Sequence, residues 1–552
     1  MTFMQKIRYF SVVLLYLCAN VLLVYNLWNL VVNKRDFLLE QSKLRVERKR
    51  VISVKRKKIL DRNGEVLAMS LPKTSFWVRP ERLLNDPSQK DRLAVILGKS
   101  SKHFTSLLEK NRKRHFMYVL RYADQPTAQK ITDAYFQDVV PLVEYTRMYP
   151  GEKSLAQLIG FTDVDGRGQE GVELAMNDKL VGKNGYQRVV IDRYGHAVET
   201  LSASEEKMGH DIILTIDKDL QHHVFAALKQ GVLQSKARSG MAIVVDVASN
   251  EVLAAANYPS FNPNDSSDRH SYLKNRVFTD IQEPGSTFKP IAMGFILDHS
   301  RVGLKDMWDT APGIIHVNGN QIEDVHNYGV LSTEEVMVKS SNIGMAKMIW
   351  QTKNDFQVWI DKKLGVKQKV GLGFPGESAG QLSVVREGDL FSLATLSFGY
   401  GVSFSTARLA QYYVAIANGG LLKPLTLYRA KSSKDRWVQI FTPETAQAIK
   451  KMMHRSVSIR GTGSLSTKWG GAVAGKTGTA YMHIPGKGYD KNRYMASFAG
   501  FSPVDKPKYV VVVVIEDPDK KRHFGGQVAA PVFSNIMFNA MYLTKGLQNS
   551  VG

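Results

Sequence analysis

The sequence has 552 residues, of which 44% are hydrophobic, and its formal net charge is +23. This length and apolar content exclude a disordered chain and leave room for two or three domains with substantial cores. The single cysteine, Cys18, excludes an intramolecular disulfide and a zinc site built from several cysteines. The positive charge invites a nucleic-acid interpretation, but no nucleic-acid-binding motif accompanies it. An anionic membrane surface or an anionic polymer is therefore the simpler partner, and a solvated charged surface without a partner is simpler still.

The first predicted element is an apolar helix over residues 10–32. As a helix this stretch extends about 34 Å, enough to cross a hydrocarbon layer of about 30 Å. A cleaved signal peptide is the alternative, but the stretch is too long for one and no small-x-small cleavage site follows it closely. Bulky residues precede Cys18, which argues against a lipoprotein signal. We expect one transmembrane helix after a short tail, residues 1–9.

The charges around this helix give no simple orientation. Lys6 and Arg8 precede the span, whereas the run from residue 34 to residue 58 is far richer in lysine and arginine. The positive-inside rule, taken alone, would favour a cytoplasmic location for the domains after the helix, although long domains can translocate despite such charge. The basic run either lies against anionic head groups or forms a solvated linker.

Residues from about 45 to 205 mix charged turns with short apolar runs, which is typical of a structural region. They carry none of the chemical motifs described below. The histidines of the chain show no metal-ligand spacing, and the pair His222-His223 is predicted to face solvent on a helix. We therefore expect no metal site and no cofactor.

Four later segments predict strands. Met241–Asp246 and Glu251–Ala256 flank an Ala-Ser-Asn turn and predict a hairpin, and Met495–Phe501 and Tyr509–Ile515 predict buried strands. One antiparallel sheet could unite both ends of this part of the chain. The residues between the two pairs would then supply helices and a cleft at the sheet edge.

The first chemical motif is Ser286-Thr-Phe-Lys289. The spacing Ser-x-x-Lys also occurs at Ser70, Ser204 and Ser271, but around Ser286 a Pro-Gly break precedes apolar residues at helical spacing. A helix starting at Ser286 places serine and lysine on one face. A serine hydroxyl needs a neighbouring base, and a desolvated lysine can serve. We expect Ser286 to be a nucleophile and Lys289 its base.

The second motif, Ser340-Ser-Asn342, offers a hydroxyl and a carboxamide, with a helix cap as the alternative interpretation. The third motif is Lys476-Thr-Gly-Thr479. It lies among alternating small and β-branched residues, a pattern typical of a strand, and Gly478 would let a substrate backbone approach closely.

The three motifs together resemble those of class A β-lactamases and penicillin-binding proteins. Over nearly its whole length the chain resembles a class B penicillin-binding protein, of the division-specific peptidoglycan transpeptidase (FtsI) type. Six further segments look like landmarks of that family in the expected order: Lys58–Ala68, Glu170–Glu173, Asp192–Gly195, Thr215–Asp217, Phe398–Gly401 and Gly525–Pro531.

The resemblance implies a mixed α/β fold. Residues 208–548 would form a transpeptidase domain like the serine D,D-peptidases and β-lactamases, with an antiparallel sheet flanked by helices. Residues 33–207 would form a linker and an elongated pedestal of the penicillin-binding-protein dimerisation type. The transmembrane helix would hold both in the cytoplasmic (inner) membrane, with the catalytic domain on the periplasmic side at the division septum.

The resemblance also implies the roles of the site residues. In order, they are acyl-ester nucleophile Ser286, general base Lys289, proton relay Ser340, orienting residue Asn342, carboxylate-binding residues Lys476, Thr477, Gly478 and Thr479, and an oxyanion hole formed by the backbone N–H groups of Ser286 and Thr479.

The implied reaction is that of a serine-type D-Ala-D-Ala transpeptidase. It would acylate the serine with a stem pentapeptide, release D-Ala, and pass the acyl group to the amine of a neighbouring stem. β-Lactams would acylate the same serine. Implied partners are an FtsW-type glycosyltransferase and other division proteins.

Three alternatives stand beside this interpretation. The elongation-specific transpeptidase often has Asp in the second motif and Ser in the third, so Asn342 and Thr477 favour the division enzyme. A β-lactamase would have no use for an anchor and pedestal. A non-catalytic penicillin sensor or scaffold would keep the serine, but a cytoplasmic signalling domain is missing from the sequence.

Overall fold

The computed structural model describes residues 3–548, except for residues 53, 184, 192–196, 205–206, 353–354, 430–436, 458–462, 468, 485 and 487. The landmark Asp192–Gly195 therefore lies outside the described residues. The chain forms two compact units: residues 1–55 with 181–209, and residues 56–180 with 210–552.

The α-helices are numbered in chain order: α1 (Phe3–Trp28), α2 (Arg35–Val46), α3 (Pro80–Leu84), α4 (Pro87–Ile96), α5 (Ser101–Lys110), α6 (Gln125–Asp133), α7 (Glu152–Ile159), α8 (Gly171–Ala175), α9 (Asn177–Val181), α10 (Lys218–Gln234), α11 (Arg276–Thr279), α12 (Lys289–His299), α13 (Thr333–Lys339), α14 (Asn342–Ile349), α15 (Asp355–Lys362), α16 (Leu390–Ser397), α17 (Thr406–Ala417), α18 (Pro443–Ser456) and α19 (Gly525–Gln548).

The strands are β1 (Glu47–Ile52), β2 (Ile59–Leu60), β3 (Val66–Val78), β4 (Met117–Leu120), β5 (Val139–Met148), β6 (Gly185–Ile191), β7 (Ala197–Ser204), β8 (Ile212–Ile213), β9 (Ser239–Asp246), β10 (Val252–Tyr258), β11 (Ile281–Gln282), β12 (Met307–Asp309), β13 (Ile314–Val317), β14 (Asn320–Glu323), β15 (Val330–Ser332), β16 (Gln381–Leu382), β17 (Val402–Ser405), β18 (Leu421–Leu422), β19 (Val438–Gln439), β20 (Ala474–Ile484), β21 (Gly488–Ser502) and β22 (Tyr509–Glu516).

The first unit begins with the apolar helix. Helix α1 continues through a π-helical segment, Asn29–Asn33, and residues 7–33 are long and apolar enough to cross a membrane by length and composition. This confirms the predicted N-terminal helix. Strands β1, β6 and β7 of the same unit form an antiparallel sheet in the order β1-β6-β7.

The N-terminal part of the second unit is built on β3. This long strand pairs with β2, β4 and β5, and β8 joins the far side of β2. Behind it lies a buried ionic cluster: the Glu173 carboxylate accepts from Arg56 Nε and from Arg147 Nε, each at 2.6 Å. All three side chains are almost completely buried. Glu173 of the landmark Glu170–Glu173 thus connects the start of this unit, at Arg56, to β5, at Arg147.

The C-terminal part of the second unit contains one five-stranded antiparallel sheet in the order β10-β9-β22-β21-β20. Strand β22 pairs with β9 on one side and β21 on the other, so strands from both ends of this region form the sheet centre. The predicted hairpin is β9 and β10, and the two predicted later strands are β21 and β22. The predicted sheet is confirmed, with β20 as an edge strand.

Both faces of this sheet are buried. Alternate residues of β9 enter different cores: Ile243 packs in the larger core with α12 and α17, and Val244 packs in a second core with α10 and α19. A strand covered on both faces is apolar at every position, which explains the uninterrupted run Val510–Ile515. Helices therefore lie on both sides, and the exposed edge of β20 is available to line a cleft.

Candidate active site

The first motif lies on a short 3-10 turn, Gly285–Phe288, which leads directly into α12. The expected α-helix therefore begins at Lys289 and not at Ser286, because Gly285 has a positive φ of 52° and turns the chain. Pro290 occupies the first turn of α12, where its missing N–H costs little. Ser286 and Lys289 remain one turn apart.

The turn that carries Ser286 is held from two sides. Tyr413, fully buried in α17, donates its hydroxyl to the carbonyl of Thr287 at 2.8 Å. Gly285 N–H donates to the carbonyl of Gly399 at 3.2 Å, and a Cβ at Gly399 would lie 2.2 Å from the Gly285 oxygen. The landmark Phe398–Gly401 therefore needs glycine at position 399, because the nucleophile turn presses against its backbone.

The side chain of Lys289 is completely buried and joins the first motif to the second. Its Nζ donates to the Ser340 carbonyl at 2.5 Å, the Asn342 Oδ1 at 2.8 Å and the Ser340 Oγ at 3.1 Å. The hydroxyl of Ser286 is half-buried and has no hydrogen-bond partner among the described residues. The proposed base is therefore fixed by the second motif, one turn along the chain from a hydroxyl that is not otherwise engaged.

Ser340 lies between two helices. It is the C-cap of α13 in the left-handed conformation, with φ 62° and ψ 38°, and Ser341 is the N-cap of α14. Ser340 is therefore a cap by its backbone, whereas the capping side chain is that of Ser341, whose Oγ accepts from Gly344 N–H at 2.9 Å. The left-handed turn points Ser340 Oγ at both lysines, since Lys476 Nζ also donates to it at 2.8 Å.

Both lysines have lowered proton affinity. Burial, followed by the charge of Lys476, holds the pKa of Lys289 well below its usual value, while Asp324 opposes that shift. Burial lowers the pKa of Lys476 to about 7. A neutral lysine can accept the serine proton, and the lysine pair is arranged so that Lys289 loses its proton readily.

The third motif lies on β20 as predicted, with Lys476 opposite Ala499 and Gly478 opposite Ser497. Thr477 and Thr479 are half-buried at this edge. The Thr479 Oγ1 accepts from the backbone N–H of Gly525 at 3.0 Å, which leaves its own proton free to donate into the cleft. The landmark Gly525–Pro531 thereby orients one of the predicted carboxylate donors.

Gly478 has a packing reason to be glycine that was not predicted. A Cβ there would lie 2.4 Å from Ser497 Oγ, 3.0 Å from the Thr287 methyl and 3.2 Å from the Pro284 carbonyl. These atoms belong to the sheet and the nucleophile turn. The missing side chain therefore lets the first motif pack onto β20, and the close approach of a substrate backbone at Gly478 stays a prediction.

Two groups near the site went unpredicted. Asp324, in the loop after β14, accepts from the Ser341 hydroxyl and from the N–H of Asn342. Glu283 accepts from Gly401 N–H at 2.7 Å and from the Tyr489 hydroxyl at 2.9 Å, joining the nucleophile turn to the start of β21. Neither belongs to a motif, so only the spatial arrangement identifies them.

Segments that the sequence analysis set aside lie elsewhere. Ser70 is buried in β3, Ser204 ends β7 and Ser271 lies in a turn, so none of them opens a helix. His222 and His223 are exposed on α10, as predicted.

Comparison with known proteins identifies the family. A family model described as the penicillin binding protein transpeptidase domain matches residues 240–538, and one described as the penicillin-binding protein dimerisation domain matches residues 51–214. The probable peptidoglycan D,D-transpeptidase PbpC of Pseudomonas aeruginosa is 35% identical over 539 residues, covering 97% of this chain and 95% of the relative. The peptidoglycan D,D-transpeptidase FtsI of Escherichia coli K12 is 34% identical over 509 residues, covering 91% and 86%.

Among solved structures, penicillin binding protein 3 from Mycobacterium tuberculosis, complexed with aztreonam, has a TM-score of 0.68 and 25% identity, covering 90% of this chain and 97% of that chain. These matches confirm the predicted family and fold class. They span both the N-terminal part and the site assembled from Ser286, Lys289, Ser340 and Lys476. The chain belongs to the class B penicillin-binding proteins, which join a dimerisation domain to a penicillin-binding transpeptidase domain.

Proposed function

We propose that this penicillin-binding transpeptidase cross-links peptidoglycan at the division septum, with Ser286 as its acyl-ester nucleophile. The observation that carries the proposal is the hydrogen-bonded path Lys289–Ser340–Lys476, which begins one turn along the chain from Ser286. The path draws one group from each motif. Such an arrangement suits acyl transfer, because a nucleophile, a base and a cation lie together in a buried site.

The hydrogen bonds of Lys289 support its role as the base. The Ser340 carbonyl and Asn342 Oδ1 only accept, so they engage two N–H groups of Lys289. A neutral lysine has two N–H groups and one lone pair, and in the structure the third direction around Nζ is taken by the Ser340 hydroxyl. To accept the proton of Ser286, Lys289 would exchange this contact for one with Ser286. Asn342 is itself oriented, since its Nδ2 donates to the Glu323 carbonyl at 2.8 Å.

The proposed acylation follows from these contacts. Ser286 Oγ forms a bond to the penultimate D-Ala carbonyl carbon while its proton passes to Lys289. The C–N bond then breaks, and Ser340 relays the proton to the nitrogen of the departing D-Ala. An amine of a neighbouring stem reverses the sequence, forming the cross-link and freeing Ser286. β-Lactams would open on the same serine.

The third motif supplies the proposed recognition of substrate. The terminal carboxylate of the stem, or the carboxylate of a β-lactam, would be held by Lys476, Thr477 and Thr479. Gly478 would let the substrate backbone approach β20 closely. The Ser286 N–H has no backbone partner among the described residues, and with the Thr479 N–H it would form the oxyanion hole.

We assign residues 1–9 to a cytoplasmic tail, 10–32 to the transmembrane helix, 33–207 to the linker and pedestal, and 208–548 to the transpeptidase domain. The catalytic domain would lie on the periplasmic side of the inner membrane. The septal role is supported by relatives named FtsI, and it implies contacts with an FtsW-type glycosyltransferase and other division proteins.

Intact-mass spectrometry after incubation with a penicillin tests the nucleophile. The full chain in detergent should gain the mass of one penicillin and keep it for hours, because a transpeptidase acyl-enzyme meets no activated water. Ser286→Ala should gain none. Ser271→Ala, in a rejected Ser-x-x-Lys match, is the matched control and should behave as wild type.

Two other outcomes of the mass measurement would contradict the proposal. Rapid loss of the adduct would indicate a β-lactamase, and an adduct retained in Ser286→Ala would remove the assigned nucleophile. Cross-linking of a pentapeptide substrate separates an enzyme from a penicillin sensor. Complementation of a division-blocked strain, compared with an elongation-blocked strain, decides the septal role.

A further inference from the structure

Asp324, which no motif contains, lies behind the second motif. Its carboxylate accepts from the Ser341 hydroxyl and from the backbone N–H groups of Asn342 and Ile343, the latter at 3.1 Å. Those N–H groups open α14 and have no partner within the helix. Asp324 therefore holds the start of the helix that carries Asn342.

The same carboxylate is connected to the proposed base through one residue. Asn342 donates its backbone N–H to Asp324 and accepts from Lys289 Nζ through its Oδ1 at 2.8 Å. Its Nδ2 donates to the carbonyl of Glu323, the residue next to Asp324. Two consecutive residues thus fix both ends of Asn342, Glu323 through its backbone carbonyl and Asp324 through its carboxylate.

We propose that Asp324 is a positioning residue of the acylation reaction, and that its negative charge sets the pH at which Lys289 becomes competent as the base. This inference rests on the proposed function of the site. It separates two effects of one side chain: the contacts that hold α14, and the charge that faces the lysine pair.

The charges around Lys289 favour this assignment. Burial and the cation Lys476 on β20 lower the pKa of Lys289, whereas Asp324 raises it. Asp324 also acts on Tyr328, whose pKa is raised by burial and then by Asp324, so that the phenol stays neutral near pH 7. Asp324 therefore supplies the negative charge that counteracts Lys476.

The test measures the second-order rate of acylation by a fluorescent penicillin from about pH 5 to about pH 10, with the full chain in detergent. In Asp324→Asn the amide oxygen can still accept from the two N–H groups, but the charge is gone. We expect the ascending limb of the pH profile to move to lower pH by about one unit, because removing the anion makes protonated Lys289 less favourable.

Two further variants separate the effect of the Asp324 charge from the effect of its contacts at the start of α14. Ser341→Ala loses a contact to Asp324 but keeps the charge, so its plateau rate should fall while the limb stays in place. Asp309→Asn removes an exposed carboxylate of the same region, whose Oδ1 accepts from Ala311 N–H, and should change neither. If the ascending limb of the pH profile of Asp324→Asn coincides with that of wild type, the inference is overturned and Asp324 is a helix cap only.

The two proposals fail in different ways. If wild type forms no Ser286-dependent adduct at any pH, the proposed function fails, because there is then no acylation rate to compare between variants. If the adduct forms but the limb of Asp324→Asn stays in place or moves to higher pH, the inference alone fails. Melting temperatures recorded with each profile show whether a variant has lost its fold.

Discussion

Two buried ionic clusters of this molecule are built in opposite ways. In the N-terminal part, Glu173 accepts from Arg56 and Arg147, and Arg56 also donates to the carbonyls of Glu173 and Gly166 and to Asn177. In the active site, Lys289 and Lys476 share the hydroxyl of Ser340, and the carboxylate of Asp324 lies one residue away.

The difference separates stabilising groups from reactive ones. Arginines stay charged at any pH that proteins meet, and with a bridging carboxylate and many acceptors they tolerate burial. Lysines lose their protons when burial and a like charge oppose ionisation. The first cluster fixes the fold without any reactive group, whereas the second keeps a base near its working range.

Lys289→Met should have the largest effect. Without the base, acylation by penicillin should fall by about 10³-fold or more, which corresponds to about 4 kcal/mol of barrier. Because methionine removes the desolvation cost of the buried amine but leaves its three acceptors without a donor, the two effects oppose each other and the melting temperature should change little. Acylation kinetics and thermal unfolding of one preparation check both. A marked loss of stability would mean that Lys289 is chiefly structural.

Glu173→Gln should show the reverse behaviour. It leaves two buried arginines without their carboxylate, and unfolding should become easier by about 3 kcal/mol. Acylation measured well below the melting temperature should change little. Glu170→Gln on the same segment, where the glutamate is half-buried, is the matched control. Equal losses in both variants would contradict the contrast between the clusters.

The smallest effect is a pH dependence of stability. Lys476 loses its proton at about pH 7 in the folded chain and at about 10.5 when unfolded, so between these values the unfolded state binds more protons. Stability must then rise with pH, by at most about 1.4 kcal/mol per unit. From pH 7 to pH 9, the free energy of unfolding of wild type should therefore rise relative to that of Lys476→Met. Lys229→Met removes an exposed lysine of α10 and keeps Lys476, so its stability should follow that of wild type over this range.

The sheet and the three motifs could be predicted because each rests on local pattern. Met241–Asp246 and Tyr509–Ile515 are continuous apolar runs, which fits strands buried on both faces. The Pro-Gly break before Ser286 predicted a helix start at Ser286, three residues before the observed start of α12 at Lys289. Both signals lie within a few positions of the feature they predict.

The rest depended on contacts between distant segments. Asp324 reaches Asn342 only after the β13–β14 hairpin folds against α14, and nothing in the local sequence distinguishes it from other surface aspartates. Gly478 is required by Pro284 and Thr287, which belong to another segment. The left-handed backbone at Ser340 could likewise not be predicted, because the residue there is neither glycine nor asparagine.

The position of β22 at the sheet centre has a consequence for biosynthesis. All three motifs precede residue 480, yet the strand that joins β9 to β21 is Tyr509–Glu516. A nascent chain therefore contains every proposed catalytic residue before it can close the sheet that positions them. The order of synthesis thus delays activity until almost the whole chain has been made, and a truncation shortly after the third motif would carry the full set of motifs without a working site.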